Sequence, residues 1–112
     1  MEPHRVQVNE TDENIFADLG LPDAESHFLK AKIVAELYRL TNSLGLTQSK
    51  AGVLMGISQP EVSRLFKGQF REYSIERLMM FLTGFNRDVE IIVKPRLEYS
   101  GRGEIRFNPI GA

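Results

Sequence analysis

The chain contains no cysteine, which excludes disulfides and thiolate metal sites and fits a reducing, cytoplasmic compartment. Its two histidines, His4 and His27, stand far apart and make no zinc-binding pattern. No apolar run approaches the ~20 residues of a membrane helix, and the first residues lack a signal-peptide pattern. Also missing are a recognisable serine–histidine–acid nucleophile motif and a glycine-rich phosphate loop of the G-x-x-x-x-G-K type. The expectation is therefore no catalytic residue, no metal, no cofactor and no membrane. There is no excess of one charge either, the net charge being -1 over 112 residues. A chain of that length fits one compact domain with one modest core.

What charge there is lies unevenly. Residues 1–30 carry seven acidic and two basic groups, and residues 31–112 carry eight acidic and twelve basic ones. An acidic arm of net -5 thus precedes a body of net +4, an asymmetry compatible with a nucleic-acid-binding module.

Three regions follow from the pattern along the chain. Residues 1–14 are polar and read as a flexible acidic arm that cannot order itself by burial. Residues 15–86 read as a helical domain. Within it, "NIFADLGLP" gathers Ile15, Phe16, Leu19 and Leu21 into a short turn before Pro22. With Asp23 as N-cap, a long helix runs from Ala24 to about Leu44. Its stripe is Leu29, Ile33, Leu37, Leu40 and Leu44, and Gly45 lies just past its end. Thr47 caps a short helix from Gln48 to Met55, ended by Gly56. Ser58 opens the next, which stops at Gly68, and Ser58 with Glu61 forms a capping box. Pro60 in the first turn forfeits no needed hydrogen bond. Ser74 caps a last helix from Ile75 to about Phe85, with Asn86 as a left-handed cap. In residues 87–112, "DVEIIVKP" alternates and is β-branched, so Asp88 to Lys94 reads as a strand. "EIRFN" is a second strand candidate.

Gln48 to Phe66 has the layout of a helix-turn-helix. Two short helices cross closely only if small residues meet, and Ala51 and Gly52 supply them. Leu54, Ile57, Val62 and Leu65 are the expected shared core. The outer face of the second helix, with Ser58, Gln59, Glu61, Ser63 and Arg64, is then free to enter a major groove. Glutamine pairs bidentately with adenine and arginine with guanine, each worth roughly 1–3 kcal/mol of discrimination. Lys67, Gln69 and Arg71, and the free amides beginning at Ser74, suit phosphates.

"LTQSKAGVLMGISQPEVSRLFKG" resembles the Xre/Cro repressor-type helix-turn-helix family. The resemblance implies a mainly α fold, a bundle of four to five helices with a C-terminal β-strand here. It implies DNA base contacts from Gln59, Ser63 and Arg64, since Pro60 has no side-chain hydrogen bond to offer. It further implies that Gln48 holds a phosphate, joining Ser58, Lys67, Gln69, Arg71 and Ser74. Gly52 departs from the usual alanine, at a cost of roughly 1 kcal/mol of helix propensity. Thr41 and Phe66 replace a frequent arginine–glutamate pair by an apolar contact. The flanks "NIFADLGLPDAE" and "RDVEIIVKP" are similar to HigA-like antitoxins. That branch implies a dimer on double-stranded inverted-repeat DNA that represses its own operon, and a ribonuclease toxin as partner.

Plainer readings stand beside these. Glu61 has a sufficient role in the capping box, Lys67 and Arg71 are also ordinary exposed cations, and His27 beside Phe28 reads as a surface or packing residue. Phe70, Tyr73, Met79, Met80, Phe81 and Phe85 suit core and dimer contacts rather than a cofactor pocket. The strand Asp88–Lys94 can pair with its symmetry mate or form a hairpin with "EIRFN". The alternative function is a protein-interaction module that keeps this fold without DNA.

Overall fold

Hydroxyl caps set where three of the four described helices begin. In the computed structural model, which describes residues 23–97 and 101–111, four helices occur in order: α1 Asp23–Ser43, α2 Gln48–Met55, α3 Gln59–Phe66 and α4 Ile75–Gly84. Thr47, Ser58 and Ser74 each sit in extended backbone and accept the amide three residues on, from Lys50, Glu61 and Arg77. Each bond satisfies an amide that the first turn leaves without a helical partner. The stops are equally local. Gly56 at φ +74° and Asn86 at φ +61° take the left-handed conformation, which glycine and asparagine tolerate best. The acidic arm and the Ile15–Leu21 turn lie outside the described residues.

One core joins all four helices. Leu29, Ile33, Val34, Leu37 and Leu40 of α1 meet Ala51 and Met55 of α2, Val62 and Leu65 of α3, and Ile75, Leu78, Phe81 and Leu82 of α4. Two glycines make the crossings close. A Cβ on Gly52 would lie 2.6 Å from the Ile57 carbonyl oxygen, and one on Gly84 would lie 2.0 Å from that of Leu54. Neither site has room for alanine without backbone movement.

The expected apolar pattern needs two corrections. Leu44 is exposed, because α1 ends at Ser43 and Gly45 turns the chain at φ +65°; Leu46 packs against the core instead. Leu54 is also exposed, and Met55 takes the core position. The approach of Gly84 is to the Leu54 backbone, so α4 meets the main chain at that position. The departure at Thr41 and Phe66 is resolved separately for each residue. The Thr41 hydroxyl donates to the Leu37 carbonyl at 2.8 Å, and Phe66 meets the Tyr38 ring edge-on at 5.3 Å.

The tail departs further from expectation. No strand occurs among the described residues, and Asp88–Lys94 runs without a ladder. A strand exists only with a partner for its alternate amides and carbonyls. "EIRFN" does not supply one, as no backbone bond joins the two segments. Phe107 packs half-buried on the helical core instead. Ile91, Ile92, Val93 and Leu97 are exposed, Val93 at 94% and Leu97 at 96%. No helix among the described residues is long and apolar enough to cross a membrane.

Candidate functional site

The α3 helix is pinned by its inner face and open on its outer one. Val62 and Leu65 are fully buried, while Ser58, Gln59, Pro60, Arg64 and Lys67 are exposed and Ser63 is half-buried. Only eight residues long, this helix owes its position to the two core anchors and to the Ser58 cap.

Its first residue is tied to the first residue of α2. Gln59 Nε2 donates to Gln48 Oε1 at 2.8 Å. The bond joins the expected base reader to the expected phosphate holder and leaves chemistry on both. Gln59 keeps one N–H and its carbonyl oxygen, the pair needed for the N7 and N6 edge of adenine. Gln48 keeps its whole NH2 group as a donor. Ser58 and Ser74 are each engaged as caps, through Oγ at 3.3 Å and 3.0 Å from the amides they accept. A serine hydroxyl that accepts in this way still has its proton to donate.

A second group of residues lies along α3 and the loop that follows it. Arg64, Arg71, Arg77, Gln69, Tyr73 and Glu61 are among those lining an open cleft of about 790 Å³. Arg64, Gln69 and Arg71, far apart in expected role, thus share one surface. The Tyr73 hydroxyl donates to Glu61 Oε2 at 3.5 Å. The reciprocal half of the capping box, Glu61 back to Ser58, does not form; the carboxylate is directed to Tyr73 instead. Burial above all, and then the Glu61 carboxylate, push the Tyr73 phenol above its ordinary range, while Arg77 and Arg64 pull against this. It therefore stays a donor at neutral pH. Arg77 lies over the Tyr73 and Phe81 rings at 5.4 and 5.7 Å, a cation–π arrangement that holds its guanidinium beside the cleft.

Two α1 residues hold the loop that carries Gln69 and Arg71. Lys30 Nζ donates to the Arg71 carbonyl at 3.0 Å, and His27 stacks on Phe70 at 4.9 Å with rings 23° apart. Lys30 and Arg77 belong to no sequence motif. For Lys30 no local signal exists, since its partner is 41 residues away; for Arg77 the one local signal is its position three residues past the Ser74 cap, a cation at a helix start.

Comparison with known proteins agrees with this geometry. A family model described as a helix-turn-helix domain matches residues 15–94. A solved structure, "Putative XRE Family Transcriptional Regulator", is 32% identical, with a TM-score of 0.69, and the match covers 81% of this chain and 100% of that one. No curated protein matches.

Proposed function

The chain belongs to the helix-turn-helix domain family, and from that premise we propose that it is a sequence-specific DNA-binding transcriptional regulator of the Xre type. The observation that carries the reading is the Gln59–Gln48 bond on an otherwise open α3 face. One side chain at the start of each helix is oriented by the other, so base contact and phosphate contact are fixed together. Gln59, Ser63 and Arg64 read base edges. Gln48, Ser58, Lys67, Gln69, Arg71 and Ser74 hold phosphates, with Lys30 and His27 steadying the loop from behind.

One such module reads only a few base pairs, so a homodimer on an inverted repeat is the working form, its half-sites about 34 Å apart. The unpaired segment 88–94 and the exposed Ile91, Ile92 and Val93 support pairing with a second copy. An uncovered β-branched edge is an aggregation liability. The same apolar tail favours a second duty, capture of a protein partner. It is in keeping with a HigA-like antitoxin that represses its own operon and neutralises a ribonuclease toxin. A binding module without DNA is the alternative reading of that tail. Fluorescence anisotropy with the protein's own upstream DNA, against a scrambled duplex, separates the two. Preferential binding of the upstream DNA is expected, and equal binding or none contradicts the regulator.

A further inference from the structure

Three arginines share one open cleft without pairing with the carboxylates beside them. Arg64 of α3, Arg71 of the following loop and Arg77 of α4 all line it, as do Glu61 and Glu72. Among the described residues none of the three arginines makes an ion pair, and Glu61 Oε2 accepts from the Tyr73 hydroxyl instead. Like charges on one surface repel, and a cation in the first turn of a helix opposes the helix dipole. Arg77, three residues past the Ser74 cap, is subject to both. What holds it is aromatic. Its guanidinium lies over the rings of Tyr73 and Phe81 at 5.4 and 5.7 Å, and those rings meet edge-on at 5.7 Å. Phe81 is buried in the core and Tyr73 half-buried, so this platform is part of the fold. Stacking fixes the plane of the guanidinium and leaves its N–H groups free to donate. An exposed, oriented and unpaired guanidinium suits an anion with several oxygens.

We propose that Arg77 is a further DNA contact, taking a backbone phosphodiester in this cleft beside Gln69 and Arg71. The inference rests on the regulator reading and extends the interface beyond the helix-turn-helix to α4. Gln69 and Arg71 line the same cleft, so a strand that meets them passes within reach of Arg77. The Tyr73–Glu61 bond has a part in this, because it gives the carboxylate a neutral partner in place of either Arg64 or Arg77. Glu72 is exposed, where salt screens its repulsion of a phosphate.

The deciding experiment is the salt dependence of Arg77→Gln binding to the upstream and scrambled duplexes. Losing one phosphate contact should lower the slope of log K against log salt by about one. It should weaken both duplexes by the same factor, about eightfold near 0.1 M salt. Arg77→Lys keeps the charge and should keep the parent slope. Neither change should move the melting midpoint by more than about 4 °C, the scale of an exposed substitution in a small domain. The slope is read well below that midpoint, so stability does not enter it. A parent that binds both duplexes alike fails as a sequence-specific regulator, yet the slope still decides for or against Arg77. A parent that binds neither overturns both readings, and a parent slope retained in Arg77→Gln overturns this one alone. The same donors would serve free phosphate, so nitrogen-15 protein is also titrated with inorganic phosphate. The Arg77 Nε–H signal should shift with duplex. A saturable shift with inorganic phosphate beside an unchanged DNA slope would assign the cleft to a free anion and overturn the proposal.

Discussion

Replacing Gly52 by alanine sets helix propensity against close packing at one atom. In the interior of a helix this change ordinarily stabilises by roughly 1 kcal/mol. Here the added Cβ would lie 2.6 Å from the Ile57 carbonyl oxygen and 3.4 Å from Val62 Cγ2. The nearer atom is backbone, in the turn between α2 and α3, and cannot swing aside as a side chain would. Moving it also disturbs the bond in which the Ile57 amide donates to the Gly52 carbonyl at 2.9 Å, worth about 1 kcal/mol. Overpacking in a tight contact costs about 1–3 kcal/mol. The sum is a net loss of about 1–3 kcal/mol, opposite in sign to propensity. Each kcal/mol moves the midpoint of a domain this size by about 4–8 °C, so Gly52→Ala should melt at least 4 °C below the parent by circular dichroism. It should also weaken DNA binding, since Ile57 leads directly into the Ser58 cap of α3. A variant that melts higher than the parent would refute the packing argument.

Other substitutions separate the proposed roles. Arg64→Ala should cost about 1–3 kcal/mol of specific binding and relax preference at one base pair per half-site, which a site-selection experiment reads directly. Lys67→Ala should weaken binding to every sequence alike and reduce the salt slope by about one; an unchanged slope would remove it from the phosphate contacts. Light scattering of the parent should give twice the 12.7 kDa chain mass, and Ile91→Pro, which removes a ladder donor, should abolish both the dimer and tight DNA binding.

The local grammar of this fold was legible because its signals act within a few residues. Thr47, Ser58 and Ser74 each cap a helix that starts one position later. Gly45, Gly56, Gly68 and Asn86 all take positive φ where a stop was expected. Features that depend on a distant partner were not legible. Leu54 and Met55 fit the helical period equally, three and four residues past the buried Ala51, and only the packed structure picks out Met55 as the buried one. Lys30 has no nearby sign that it will reach the Arg71 carbonyl. Alternation in Asp88–Lys94 reports a residue preference and not the pairing that a ladder requires, and no strand occurs among the described residues.

The same distinction applies to the candidate site. The pattern identified Gln48 and Gln59 separately, through the resemblance, but not the bond between them across the turn. Glu61 satisfied the spacing of a capping box, and the neighbouring Tyr73 claimed its carboxylate. Arg64 is expected beside Gln59 on a reading face; it also shares a cleft with Arg71 and Arg77, which Glu61 and Glu72 line as well.

The central claim, that the open face of α3 meets DNA, is tested most directly by titrating nitrogen-15-labelled protein with its upstream duplex and following every amide. The account predicts shifts concentrated at Gln48, from Ser58 to Arg64, and from Lys67 to Ser74, with the α1 core stripe undisturbed. Shifts confined to residues 88–97, or none on α3 at saturating DNA, would contradict it.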